Sequence, residues 1–386
     1  MSAAVIVLLS CLLAAPARAD DRIRLEVAIN GKPEAFVLDT GFGGTFGLYQ
    51  NAAERIGLKF TPPPENIPTK AGEVLLAQTD PTPVTMLGRT ESVPLRVIDT
   101  PSGVEPDAAG LVGWPVLSRE IVRFQSRHGV ERVTIEPALP RDIDRWLKVR
   151  VIRRQILTLV IPAADGTPVR VNVDTGAASG VALEPEHFRA WRKENPNSPA
   201  TLEAYWLPAS GLLVREEVWA DELRLGLMIL RDVPVDEGAA GEFPRAAADK
   251  TAVIGLAALR HLDLVVDGPN DVAYVRPSRS FPVPYNHNRM GAVFVPHDLA
   301  SQDLVAVVVP RSPAEQAGVH AGDVLLKIDA LDVTGWQTQP GIMPLTRFWT
   351  RPAGTKLELT LRRNDQTVVV PVTLQEILGP RSGETQ

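Results

Sequence analysis

The sequence predicts a mainly β chain built from two related halves followed by a smaller third unit. Three observations carry that expectation. In 386 residues there are 34 prolines and 29 glycines against 5% aromatics, a composition suited to short strands joined by turns. A run of alternating apolar residues that passes through a tight turn and ends in Asp-Thr-Gly occurs twice. Beyond the second copy, strand-like segments flank a short, well-marked helix start. Hydrophobic residues make up 45%, enough for substantial cores. The formal charge of −6, without any run of like charges, leaves no basic field for nucleic acid.

The chain opens with an apolar stretch, Val5 to Ala15, too short to span a bilayer as a mature helix. It leads to Ala17-Arg18-Ala19, the small-x-small spacing that a signal peptidase requires. No Lys or Arg precedes it, but residues 1–19 are expected to be a signal peptide, with export to the periplasm or medium. The single cysteine, Cys11, falls inside this segment. The residues after it stay apolar, so no lipid anchor is expected there. Cleavage after Ala19 leaves no disulfide and no thiol nucleophile.

The first half is expected over residues 20–140. Ile23, Leu25, Val27 and Ile29 alternate up to Asn30-Gly31, and Ala35 to Leu38 then runs into Asp39-Thr40-Gly41. The second half is expected over 141–281, with Leu139 to Lys148 as the link. Leu157 to Ile161 reaches the turn Asp165-Gly166, and Val169, Val171 and Val173 alternate into Asp174-Thr175-Gly176. Asn-Gly and Asp-Gly between apolar runs are strong hairpin signals. A leucine follows each aspartate by nine residues (Leu48, Leu183). Each copy later reaches two apolar residues and a glycine, Leu111-Val112-Gly113 and Val253-Ile254-Gly255. Closing strands are expected near Arg132–Ile135 and Val272–Val275.

The third unit is expected over 282–386, after a linker at Pro282 to Arg289. Strands are predicted at Met290–Val295, Leu304–Val309 and Val324–Ile328. Between the second and third, Ser312-Pro313-Ala314-Glu315 reads as a capping box with Pro at the first helical position, and Gly318 ends the helix. Lys356–Leu361 and Thr367–Leu374 form a hairpin around Asn364-Asp365.

Peptide hydrolysis needs a water activated on one side of a carbonyl and a proton delivered on the other. Two carboxylates at short range do both, because like charges cannot both ionise and the pair shares one proton. The glycine allows a sharp turn and offers its N–H to a carboxylate. The threonine hydroxyl is able to bond across to the opposite loop and lock two copies together. One Asp-Thr-Gly carries little information; two, each ending an apolar strand and each followed by an apolar-apolar-Gly element, carry much.

Residues 22–277 resemble the retropepsin-like and pepsin-like aspartic peptidases. The resemblance implies two β-barrel halves forming a bilobal unit, with Asp39 and Asp174 as catalytic residues. Thr40, Gly41, Thr175 and Gly176 would support the active-site loops, and the apolar-Gly elements would pass beneath them. Gly176-Ala177 fits the family's small residue after the glycine, whereas Phe42 departs from it and puts a bulky ring at the expected cleft floor. Flaps over the cleft would be Tyr205-Trp206-Leu207-Pro208-Ala209-Ser210-Gly211 and a segment near Lys70-Ala71-Gly72. Residues 286–376 resemble a bacterial PDZ domain, clearest at Arg311 to Gly318 and Ala321 to Leu325. It would hold a protein C-terminus through the loop Met290-Gly291-Ala292-Val293-Phe294, which follows the family's Gly-apolar-Gly-apolar pattern loosely.

No cofactor is expected. None of the six histidines has metal-ligand spacing, and no Gly-x-Ser-x-Gly element offers a serine nucleophile. The leading expectation is an exported aspartic endopeptidase acting on peptide or protein substrates, with the PDZ domain recruiting C-termini or regulating the cleft. The competing one is an inactive peptidase-fold scaffold that binds peptides through its PDZ domain.

Overall fold

The computed structural model describes residues 22–61, 67–68, 74–99, 108–127, 130–152, 155–207, 211–238, 250–278, 284–297, 301–339 and 341–379. The expected signal peptide, the Lys70–Gly72 flap and the tip Pro208–Ser210 lie outside them. Strand accounts for 50% of the described residues and helix for 12%, so the fold is mainly β. No helix among the described residues is long and apolar enough to cross a membrane. The chain divides into two compact units that interleave in sequence. One comprises residues up to 178 with 225–228 and 254–281; the other comprises 179–224, 229–253 and 282 onward.

In the first unit, Arg24–Ile29 and Lys32–Asp39 form the predicted hairpin, with Ile29 opposite Lys32. Asn30 and Gly31 both take positive φ, 51° and 78°, the mirror-image turn whose twist matches a right-twisted strand pair. Gly110–Gly113 lies parallel beside the return strand, placing Gly113 opposite Asp39. Phe46–Tyr49 pairs with its other side. The inward residues Val27, Ile29, Phe36 and Leu38 are essentially fully buried. Each contributes roughly 1.5–3 kcal/mol relative to exposure.

The same unit holds a second antiparallel series. Thr158–Pro162 and Pro168–Val173 form the other predicted hairpin, and Leu147–Ile152 pairs with Thr158–Pro162. The two closing hairpins, Ile121–Glu136 and Leu262–Pro277, pair with one another: Ile121 lies opposite Asp267 and Phe124 opposite Leu264. The link predicted at 139–148 carries a short helical turn, Ile143–Arg145, and then Trp146. Trp146 is 5% exposed, packs on Val265 and is covered by the Arg276 guanidinium 4.1 Å from its ring centre. Asp263 and Asp142 hold that guanidinium in place.

In the second unit, Ala200–Leu207 and Gly211–Leu225 form a long hairpin, with Trp206 opposite Leu212 and Leu207 opposite Gly211. Met228–Glu237 continues the sheet, and Val181–Leu183 lies parallel to its end. A separate six-stranded sheet follows, ordered Ala292–Pro296, Leu304–Val308, Val324–Ile328, Lys356–Arg363, Gln366–Thr373, with Leu331–Asp332 beside the third strand. The helix Pro313–Ala317 starts where expected, with Ser312 Oγ accepting from Glu315 N. The Glu315 carboxylate accepts from the Arg311 N–H, one residue earlier than a capping box requires. Gly318, at φ 98°, ends the helix.

Candidate functional site

Both Asp-Thr-Gly elements belong to the first unit, each at the end of a buried strand. Gly41 and Phe42 donate their N–H groups to Asp39 Oδ1, both at 2.9 Å. Gly176 and Ala177 do the same for Asp174 Oδ1, at 2.9 and 3.2 Å. Each carboxylate is thereby oriented by its own loop. Both aspartates are half-buried, whereas Thr40 and Thr175 between them and the glycines are 0% exposed.

The threonines join the two loops. Thr40 N donates to Thr175 Oγ1 and Thr175 N donates to Thr40 Oγ1, each at 3.1 Å. Each hydroxyl then donates to the strand before the opposite aspartate: Thr40 Oγ1 to Val173 O at 2.6 Å, Thr175 Oγ1 to Leu38 O at 2.7 Å. This reciprocal set satisfies four buried backbone groups and relates the loops by near two-fold symmetry. Side chains 135 residues apart in sequence are thus locked to one another.

The glycines decide how close the carboxylates come. A Cβ on Gly41 would lie 2.5 Å from Asp174 Oδ2, and one on Gly176 would lie 2.5 Å from the Asp39 carboxyl carbon. Each carboxylate therefore rests against the glycine of the other loop. The outcome is two acidic groups converging over one hydrogen-bonded base, with any side chain between them excluded.

Phe42 does not lie as expected. Its ring is 1% exposed and faces Gly44 and Gly47, where an added Cβ would come within 2.6 and 3.0 Å of it. It fills the core under the loop, and those two glycines make the room. Beneath the second loop, Asp174 N donates to Ile254 O and Leu256 N to Ala177 O, so the Val253-Ile254-Gly255 element supports it directly. In the flap candidate at 205–211, Tyr205–Leu207 pairs back onto Gly211–Leu213, and Pro208–Ser210 lie outside the described residues. Ile67–Pro68 and Val74–Leu75 also pair across the other flap position.

In the expected carboxylate loop, Gly291 takes φ +72° and is wedged against Ser312. Ala292 and Val293 are 0% exposed and Phe294 2%, within the core of the six-stranded sheet. The N–H groups of Met290 and Gly291 both donate to Asn288 Oδ1, at 2.9 and 3.1 Å. Asn288 carried no signal in the sequence, because an Asn near a linker is ordinary turn chemistry. A second buried polar group also escaped notice. Glu217, 3% exposed, accepts a short hydrogen bond from the Tyr285 hydroxyl, beside Glu203, Asp236 and Arg215. Burial first, and then the Glu203 charge, push its carboxyl well above the usual carboxylate range.

Residues 304–363 match the PDZ domain family. The matched stretch runs from the Leu304–Val308 strand through Lys356–Arg363, and Ala292–Pro296 and Gln366–Thr373 flank it in the same sheet. This segment is a PDZ domain, a module that takes peptide or protein partners. Comparison with curated proteins returns no match for the chain.

Proposed function

We propose that the chain is an aspartic-type endopeptidase, exported and acting on peptide or protein substrates, with its PDZ domain attached to the catalytic part. The observation that carries this reading is the reciprocal Thr40–Thr175 lock, with each glycine set against the opposite aspartate. A pair of turn aspartates that merely capped backbone N–H groups would have no need of it. The strain-free way to bring two carboxylates together is to let neither loop carry a side chain at the contact, and both loops satisfy that condition.

In the reaction, Asp39 and Asp174 share one proton and hold a water between them. The ionised carboxylate takes a proton from that water as its oxygen attacks the scissile carbonyl carbon. The protonated carboxyl gives its proton to the carbonyl oxygen, leaving a neutral tetrahedral diol and no acyl-enzyme. Collapse of the diol breaks the C–N bond and passes a proton to the leaving nitrogen, restoring the shared-proton pair. The backbone N–H groups at each Oδ1 keep both carboxylates in orientation through the cycle. No cofactor enters.

The test is cleavage of an unfolded-protein mixture from acidic to neutral pH, comparing wild type with Asp39→Asn and Asp174→Asn and reading the cut sites by mass spectrometry. Cuts that disappear in both variants are expected. A wild type that cuts nothing, or variants that cut equally well, would leave a peptide-binding protein built around the PDZ domain.

A further inference from the structure

We propose that the PDZ carboxylate loop is occupied in cis: Asn288 fills it and the Ala200–Leu207 strand closes over it, so the domain holds its own chain's hairpin instead of free C-termini. Every residue involved belongs to the second compact unit, so the inference stands apart from the catalytic reading.

A PDZ loop grips a terminal carboxylate with backbone N–H groups. Each such group has a single hydrogen. At Met290 and Gly291 both hydrogens go to one sp² oxygen, Asn288 Oδ1, as they would go to a carboxylate oxygen. Asn288 is 5% exposed, and its other side-chain atom does not face water either. Nδ2 donates to Leu202 O at 2.9 Å and to Ala292 O at 2.8 Å, bridging the hairpin strand to the first residue of the sheet's edge strand. Thr201 Oγ1 completes the bridge by donating to Asn288 O at 2.7 Å.

Packing agrees with the hydrogen bonds. Thr201 is 0% exposed, and Leu202 is buried in one cluster with Phe294, Phe348 and Trp349 of the PDZ core, with Ala204 packed against it. The Ala292–Pro296 strand ladders only with Leu304–Val308 among the described residues, and Ala200–Leu207 packs against it. An extended segment laid at a sheet edge, with an apolar side chain in the core and an acceptor in the loop, is how a peptide ligand is held. The loop is pinned from behind as well, by Arg289 N to Trp349 O and Ala314 N to Met290 O. The Tyr285–Glu217 bond ties the second strand of the hairpin to the segment that enters the domain. An incoming C-terminus would have to break the Asn288 bonds and expose Leu202.

The test uses the full chain with short random peptides bearing free C-terminal carboxylates, and their amidated counterparts, read by fluorescence polarisation. The wild type is expected to show no carboxylate-dependent binding. Asn288→Ala, which frees both N–H groups, is expected to gain it by at least about tenfold. The same variant should speed hydrogen exchange at residues 201–204, while 357–361 stay protected as a control for folding. Wild type that binds the free-carboxylate peptides as tightly as the variant, or unchanged exchange at 201–204, would overturn the proposal. If Asn288→Ala loses protection at 357–361, Thr201→Val serves instead, since it cuts one bond to Asn288 O. Faster exchange at 290–291 is then expected, and unchanged exchange there would overturn the proposal equally.

Discussion

At the scale of single residues, the two loops separate position from strength. Beyond the backbone N–H that each donates to its own loop's aspartate, Gly41 and Gly176 leave the volume in which the opposite carboxylate sits. Gly41→Ala should therefore displace Asp174 and abolish cleavage while Asp39 and its N–H partners remain. Peptide turnover set beside thermal melting checks this, with turnover lost and melting nearly unchanged. Thr175 acts the other way. Thr175→Val keeps the shape but leaves Thr40 N and Leu38 O without partners in a fully buried site. Each orphaned backbone group costs about 1–3 kcal/mol, so denaturant unfolding should show a loss of stability as well as of turnover.

Among elements, the hairpins and the link between the closing strands differ in what holds them. The Asn30-Gly31 turn is a local device: nothing lies within 4 Å of a Cβ added at Gly31, and only its positive φ restricts the choice of residue. The link at Trp146 is a tertiary device. Its indole is enclosed by Ile143 of the adjoining helical turn and by Val265 and the Arg276 guanidinium, on strands more than a hundred positions away. Trp146→Ala should cost about 3–5 kcal/mol in denaturant unfolding, the range for emptying a large aromatic site. Asn364-Asp365 is a second local device, with both residues at positive φ between the Lys356–Arg363 and Gln366–Thr373 strands.

For the whole molecule, two buried groups set opposite pH dependences. Glu217 faces Tyr285, Glu203, Asp236 and Arg215, and burial raises its carboxyl well above the ordinary 4.5. Its protonated form is favoured by folding, so its contribution is complete below that value and is lost as pH rises through the raised one. His287 is buried, donating through Nδ1 to Tyr285 O and accepting at Nε2 from the N–H groups of Ile377 and Leu378. Burial lowers it from 6.5, so its contribution is complete above that value and is lost as pH falls through the lowered one. The calorimetric melting temperature should thus carry an alkaline limb set by Glu217 and an acid limb set by His287. Glu217→Gln should remove the fall on the alkaline side and leave the acid side intact; an unchanged alkaline limb would refute the assignment to Glu217.

What could be read from the chain alone was local or periodic. Alternation at Ile23–Ile29 and Val169–Val173 announces strands, Asn30-Gly31 and Asp165-Gly166 announce turns, and Ser312-Pro313 announces a helix start. Each rests on a few neighbouring residues and backbone preference, and the mainly β class follows from them, while the PDZ domain was legible through its resemblance at Arg311 to Gly318 and Ala321 to Leu325. The repeat of Asp-Thr-Gly marked both loops as a candidate site on the same terms. The bonding between Thr40 and Thr175, the burial of Phe42 against Gly44 and Gly47, and the filling of the 288–291 loop by Asn288 and Thr201 depended on the tertiary structure. The Thr40–Thr175 and Thr201–Asn288 bonds join residues 135 and 87 positions apart, whereas Phe42 meets Gly44 and Gly47, and Asn288 meets Met290 and Gly291, within a few positions. Their partners are chosen by packing and by the need to satisfy buried polar groups, and neither leaves a pattern in any short stretch of sequence.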